Sequence, residues 1–479
     1  MSLLFTIKEL QFRLGGFLYS ENQWRSRGLS VFDPGIGIQG FAVDSRLVKN
    51  TDMFFPLKGE RADGHAFLPD VVRSGCRVIL VDKQYYRRNA ILMKRLFEEN
   101  PIVVFPVANV LSALHVLARL VLGRRQLLKI GITGSNGKTT TKELIASILK
   151  CHKPTFMTPG NYNSVIGIPL VVPAIRDEHQ YGIFEMAMSE KGEMKKLADL
   201  VFPDVGLLTG IGTAHIGNIG SQLGIAQEKF EIFRNFLPSS TALFPESDPY
   251  VRRLEPKVRG RKVIFGPNST PGFGGVIAQG IGWQDFTWMG KPVRLHLSGE
   301  HNLMNALGAI SLAQTLEIDE ESIRTGLESY KPIFGRGEVL RGRVTVYSDC
   351  YNANPESMAA AIRNFSGQDG SGRTVFILGD MKELGRFSQK EHEDLGRIIA
   401  EKNPDLTLLF GPEMQWTFKS AGSVLPENRL FWTDDWSDFV ELVQQSVEQD
   451  DVVLLKGSRS LELERLHGIL SQVQEAKKC

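Results

Sequence analysis

The sequence predicts an α/β protein of three domains: an N-terminal α/β domain, a central domain on a mostly parallel sheet covered on both faces, and a C-terminal doubly wound sheet. Three observations carry this. Apolar runs of strand length alternate with amphipathic stretches of helical length along the chain, the pattern of strand–helix repeats. The 479 residues amount to about three domains. Glycine-rich turns follow several apolar runs directly, at the carboxyl ends of strands where such sheets hold ligands. The expected domains are 1–107, 108–333 and 334–479.

In the first section, Thr6 and Glu9 read as a helix capping box, and Lys8, Glu9 and Arg13 interrupt any signal-peptide core. Strands are expected at 76–81 and 102–107 and a helix at 108–122. The middle section opens with a strand at 127–132, a turn from Gly134 to Gly137, and a helix whose start is Lys138 and Thr139 and whose body is 143–149. Strands at 181–186 and 205–209 and helices at 190–200, 222–236 and 301–315 follow, with 267–282 expected as an irregular surface excursion. Lys331, Pro332, Gly335, Arg336 and Gly337 mark a linker. Beyond it come strands at 344–348, 374–378, 406–410 and 452–455, and helices at 355–365, 389–401 and 461–470. This third section is a Rossmann-like doubly wound sheet.

A formal net charge of +2 excludes nucleic-acid binding by bulk attraction. Cys76, Cys151, Cys350 and Cys479 are scattered without a Cys-x-x-Cys pair, which argues against a disulfide framework or a zinc site and for a reducing compartment. No apolar run approaches the ~20 residues of a membrane span. A soluble cytoplasmic protein without membrane insertion is expected.

The strand–turn–helix around Gly134–Thr140 reads as a phosphate-binding loop. Its glycines let backbone N–H groups wrap an anion, Lys138 reaches the outer phosphates, and Thr139 can hold Mg²⁺. Gly131 and Gly137 are separated by five residues, one more than the Walker spacing allows. Glu185, at a strand end, is either an Mg²⁺ ligand or a solvated acid. His215 lies between glycines after another strand, and a lone histidine there is more often packed or at the surface. Lys229 reads locally as a solvated lysine on an amphipathic helix. His301, Asn302 and Asn305 open a helix, with His301 and Asn305 expected on one face. Asn354 before Pro355 is a cap-and-N1 pair, which leaves Asp349 and Asn352 unexplained. Lys456 and Arg459, at the end of the last strand, suggest an anion site.

Together these runs resemble the Mur ligases, ATP-dependent amide-bond ligases of bacterial cell-wall synthesis. Gly-Ile-Thr-Gly-Ser-Asn-Gly-Lys-Thr-Thr-Thr is that family's own phosphate loop, which accounts for the spacing. Four stretches resemble the members that add D-alanyl-D-alanine to a UDP-muramoyl-tripeptide: Asp44-Ser45-Arg46 with 55–65, then 161–169, 351–358, and 378–385 (Leu-Gly-Asp-Met-Lys-Glu-Leu-Gly).

The resemblance implies an N-terminal UDP-binding domain, a central ATPase domain and a C-terminal ligase domain. It implies that Gly134, Ser135, Asn136, Gly137, Lys138, Thr139 and Thr140 hold ATP and Mg²⁺. Thr139, Glu185 and His215 become metal ligands. Lys229 becomes a CO₂-derived carbamate that helps bind a second Mg²⁺, reversing its local reading. His301, Asn302, Asn305, Arg336, Asp349 and Asn352 complete the nucleotide site. Ser45, Arg46, Asn161 and Asn163 face the UDP-MurNAc-tripeptide, and Lys456 and Arg459 face the reacting centre or D-Ala-D-Ala. A monomer is implied. Ser348, Cys350 and Ser164 depart from the family pattern, and Cys350 near the nucleotide suggests thiol sensitivity. The competing readings are a folylpolyglutamate synthetase, a nucleotide-hydrolysing switch and a non-catalytic nucleotide-binding subunit.

Overall fold

The computed structural model describes residues 3–26, 30, 37–59, 62–365 and 372–472. Glu60, Arg61 and Cys479, which figured in the sequence reading, lie outside the described residues. The chain forms two compact units: Met1–Lys129 with Phe156–Phe184 and Lys196–Phe202, and Ile130–Thr155 with Glu185–Lys195 and Pro203–Cys479.

In the first unit, strands Gly40–Ala42, Asp52–Phe54, Val78–Asp82 and Val103–Val107 form a parallel sheet in that order. The strand Val78–Asp82 is buried along nearly its whole length, as a central parallel strand must be. Its apolar residues pack with Leu68, Val71 and Met93 of the neighbouring helices. The Thr6–Glu9 capping box is present. Helix Val110–Gly123 is capped by Asn109, whose side chain accepts the Ser112 N–H.

In the second unit, Ile130–Thr133 pairs in parallel with Val205–Leu208, which pairs with Thr241–Pro245, which pairs with Arg261–Phe265. Helix Lys138–His152 leaves directly from the glycine turn. The helix expected over 222–236 ends at Phe230 and tightens into a 3₁₀ turn, Glu231–Phe233.

The stretch 267–282 is not irregular. It carries strand Phe273–Gly280, which pairs antiparallel with Trp283–Trp288, itself paired with Lys291–Leu295. Register shifts at Phe273/Gly275 and Val276/Ala278 break the alternation that would have marked the strand.

The last sheet runs in the order Glu338–Arg341, Thr345–Ser348, Val452–Lys456, Thr374–Gly379, Leu406–Phe410, Leu430–Thr433, parallel except for its first pair. Strand Leu430–Thr433 and helices Met414–Ala421 and Trp436–Ser446 went unrecognised in the sequence. The helix expected at 461–470 is replaced by 3₁₀ turns Arg459–Leu461 and Leu463–Leu466 and one helical turn, His467–Leu470. Glu462, in the left-handed region at φ +50°, interrupts it. No helix among the described residues is long and apolar enough to cross a membrane.

Candidate active site

The phosphate loop lies at the carboxyl end of its strand, as do Glu185 and the turn that begins at Thr209. Gly137, the residue before the helix, has φ +78°, and a Cβ there would stand 2.2 Å from Asn305 Oδ1. Both facts require glycine. Asn305 Oδ1 accepts from Thr141 Oγ1 at 3.2 Å, and Asn305 Nδ2 donates to Asn302 Oδ1 at 3.3 Å. Asn302 and Asn305 are thus the buried pair of this helix start, whereas His301 is exposed and does not share their setting.

Two lysines converge on one carbonyl. Lys138 Nζ donates to Gly134 O at 2.8 Å, and Lys229 Nζ donates to the same oxygen at 2.9 Å. Lys229 is 1% exposed, so its reading as a solvated helix lysine is overturned: the helix packs this face inward. Burial, and then the Lys138 charge, hold the Lys229 amine well below its ordinary value. Burial also lowers Lys138, against a contrary pull from Glu185.

Glu185 is 2% exposed, which settles its local alternative against the solvated acid. Lys142 Nζ lies 3.9 Å from Glu185 Oε2 and 3.2 Å from Glu143 Oε1. Sequence reasoning passed over Lys142. Its place one helical turn after Lys138, on a helix that must cover the sheet, was the available signal.

Ser135 accepts the Gly212 N–H at 2.8 Å, tying the loop to the 210–217 turn. His215 sits in that turn at φ +66°, its Nδ1 2.6 Å from Glu383 Oε2. Thr213 donates to both carboxylate oxygens of Glu356, from N at 2.8 Å and from Oγ1 at 3.0 Å. Asn354 caps helix Pro355–Phe365 through Ser357 N and donates to Asn136 Oδ1 at 2.6 Å.

Arg336 lies 3.9 Å over the Tyr351 ring, with a buried Nε that has no hydrogen-bond partner among the described residues. Lys456, 2% exposed, places Nζ 2.6 Å from Asp349 Oδ2 and 3.0 Å from Asn352 O. Lys456 therefore braces Asp349 and Asn352 in this structure, while Arg459 pairs closely with Glu464. Ser348 bonds His467 Nε2 at 3.0 Å. Cys350 is 1% exposed and burial pushes its thiol up, which removes the expectation of an accessible thiol.

Ser45, Arg46, Asn161 and Asn163 belong to the other unit. Arg46 is exposed and forms a forked pair with Asp44, at 2.9 and 2.6 Å. Ser164 Oγ accepts the Gly167 N–H at 3.0 Å, a local turn bond. This unit also holds a cleft of 570 Å³ lined by Lys58, Asp63, His65, Tyr85 and Arg88. His65 Nε2 accepts the Asp82 N–H at 3.1 Å, so Nδ1 carries the proton and donates to Asp63 at 2.7 Å. A larger cleft of 780 Å³ between Phe418 and Leu442 contains none of the candidate residues.

The family model described as Mur ligase family, catalytic domain matches residues 37–125; that for the Mur ligase middle domain matches 132–313; and that for the Mur ligase, glutamate ligase domain matches 335–459. The chain belongs to the Mur ligase family. It is 35% identical over 436 residues to the UDP-N-acetylmuramoyl-tripeptide--D-alanyl-D-alanine ligase of Treponema pallidum, covering 91% of this chain and 94% of that one. Among solved structures it is similar to MurF from Acinetobacter baumannii, with TM-score 0.83, 32% identity and coverage of 98% and 99% of the two chains. It is also similar to MurF ligase from Thermotoga maritima in complex with ADP, with TM-score 0.77, 27% identity and coverage of 90% and 97%.

Proposed function

We infer that this chain carries the activity named for those relatives. It is an ATP-dependent ligase that joins D-alanyl-D-alanine to UDP-N-acetylmuramoyl-tripeptide, giving the pentapeptide precursor of peptidoglycan. The observation that carries this reading is the convergence of Lys138 and Lys229 on Gly134 O beside the buried Glu185.

The terminal carboxylate of the tripeptide attacks the γ-phosphorus of ATP. The bond to the ADP oxygen breaks and an acyl phosphate forms. The amine of D-Ala-D-Ala then attacks the acyl carbon, loses a proton, and expels phosphate. Carboxylate and triphosphate repel one another, so the site must supply positive charge. Lys138 exchanges its loop carbonyls for phosphate oxygens, and the N-terminus of helix Lys138–His152 adds the positive end of its dipole.

Thr139 and Glu185 are hard oxygen donors that fit Mg²⁺. Among the described residues no group of three or more His, Cys, Asp or Glu could hold an ion unaided. That suits a metal that takes its remaining ligands from phosphate and water. When bound, Mg²⁺ neutralises charge on the transferring phosphoryl group. His215 is assigned as a further ligand. Burial shifts Lys229 toward the neutral amine, the form that would add CO₂: nitrogen bonds to carbon, a proton leaves, and an anionic carbamate remains that would help hold a second Mg²⁺.

Asn302, Asn305, His301, Arg336, Asp349 and Asn352 are assigned to the nucleotide, the Gly134–Thr140 loop to its phosphates, Ser45, Arg46, Asn161 and Asn163 to the UDP-sugar end, and Lys456 and Arg459 to the dipeptide side. The working domains are 1–107, 108–333 and 334–479; the family-model spans 132–313 and 335–459 fall within the second and third, while the span 37–125 crosses the first boundary. A cytoplasmic monomer completes the proposal.

The test is phosphate release from ATP with Mg²⁺ and UDP-muramoyl-tripeptide, with and without D-Ala-D-Ala. Release that needs both substrates, with a UDP-pentapeptide found by mass, is the expected result. Release indifferent to the dipeptide overturns the assignment in favour of a nucleotide-hydrolysing switch.

A further inference from the structure

The turn that carries His215 is held by side chains and backbone far along the sequence. Glu356 grips Thr213 through both carboxylate oxygens. Glu383 O accepts the Gly217 N–H at 3.2 Å, and Glu383 Oε2 lies 2.6 Å from His215 Nδ1, a buried ring nitrogen that makes no aligned hydrogen bond among the described residues. His215 and Glu383 both adopt left-handed backbone, at φ +66° and +64°. Non-glycine residues hold that conformation where the surroundings fix it. The mechanism above gives Glu383 no task.

A histidine that binds a metal through one ring nitrogen commonly donates the other N–H to a carboxylate. That bond fixes the tautomer and the ring orientation. We propose that Glu383 is the positioning residue for His215: its carboxylate accepts a hydrogen bond from Nδ1–H, which leaves the Nε2 lone pair for the metal ion. The inference rests on reading His215 as a ligand, and extends it to the run 378–385. An ordinary exposed ion pair would contribute little. The carboxylate of Glu383 is half exposed, but the ring it faces is mostly buried, at 19% exposure, and its own backbone is bonded to the same turn. Docking of the 378–385 loop on the 210–217 turn therefore strengthens metal binding at His215.

The test is Mn²⁺ binding to the full chain in bicarbonate buffer with ADP, followed by the loss of the free-ion paramagnetic resonance signal. His215→Ala, Glu383→Ala, Glu383→Gln and the double alanine variant are compared with the parent. His215→Ala weakens one class of bound Mn²⁺. Glu383→Ala weakens the same class by about 10-fold. Glu383→Gln, whose amide oxygen can still accept a hydrogen bond from Nδ1–H, recovers most of that loss, and the double variant binds no more weakly than His215→Ala. Thermal unfolding without metal separates a folding defect, and Glu383→Met replaces Glu383→Ala if the latter does not fold. Unchanged Mn²⁺ affinity in the Glu383 variants beside a weakened His215→Ala overturns the positioning role alone. Unchanged affinity in every variant overturns it together with the ligand assignment of His215.

Discussion

Lys229 Nζ and the carbonyl oxygen of Gly134 are 2.9 Å apart, inside a site that also holds the Lys138 ammonium. Two cations on one acceptor, both removed from water, favour loss of a proton from the more deeply buried one.

The sign of the resulting pH dependence follows from linkage. The folded chain binds the Lys229 proton less tightly than the unfolded chain, whose lysine titrates near its ordinary 10.5. Between the depressed value and that value, stability rises with pH, and the penalty is gone above it. In bicarbonate-free buffer, Lys229→Met should therefore melt higher than the parent at neutral pH, with the gap closing as pH approaches 10. Calorimetry across that range measures it. The same variant should lose kcat by on the order of 100-fold, the scale of removing one charge-organising group from a phosphoryl-transfer site.

Lys142 supplies a buried positive charge beside Glu185 and Glu143. Replacing one partner of a buried ionic cluster costs about 3 kcal/mol, because the other charge stays buried. Lys142→Met should show that loss in urea unfolding. Lys142→Met combined with Glu185→Gln should lose less than the sum of the single variants.

Gly137→Ala confronts a left-handed backbone, a cost of about 1–2 kcal/mol, and meets Asn305 Oδ1 besides. Weakened ADP binding by calorimetry and a lower unfolding midpoint are expected. Adding Asn305→Ala should return the part due to the collision and leave the backbone part.

Asp44 is held down to about 2 by the Arg46 guanidinium, through its side-chain and backbone hydrogen bonds. What the pair contributes is fully present above the ordinary 3.8 and is lost as pH falls through about 2. Arg46→Ala should return the Asp44 carboxyl toward 3.8, read directly by carbon NMR titration. A UDP-sugar that recruits Arg46 from Asp44 should shift the same resonance.

The sequence made the phosphate loop and the strand ends legible because each is a local pattern of apolar run, glycine and polar residue, whereas Glu185 stayed locally undecided between a ligand and a solvated acid until its burial is seen. It misled where neighbours distant in sequence decide. Lys229 looks like a surface lysine, because nothing within a turn of it reveals that its face is covered. Asn302 rather than His301 pairs with Asn305, since Asn302 is buried and His301 exposed, a difference that periodicity does not specify. The hairpin from Phe273 stayed hidden because its bulges erase the two-residue alternation. Glu356 and Glu383 were unreadable as partners of the 210–217 turn, since their role exists only in contact.

Asn354 on Asn136 and Glu356 on Thr213 also bear on how the molecule comes into being. The chain leaves the ribosome from its amino end, so the nucleotide loop emerges long before the residues that finish it. A nascent chain stalled short of residue 354 would hold an incomplete loop and turn. Competence to bind nucleotide would then arise late in translation, after most of the polypeptide is already outside the exit tunnel.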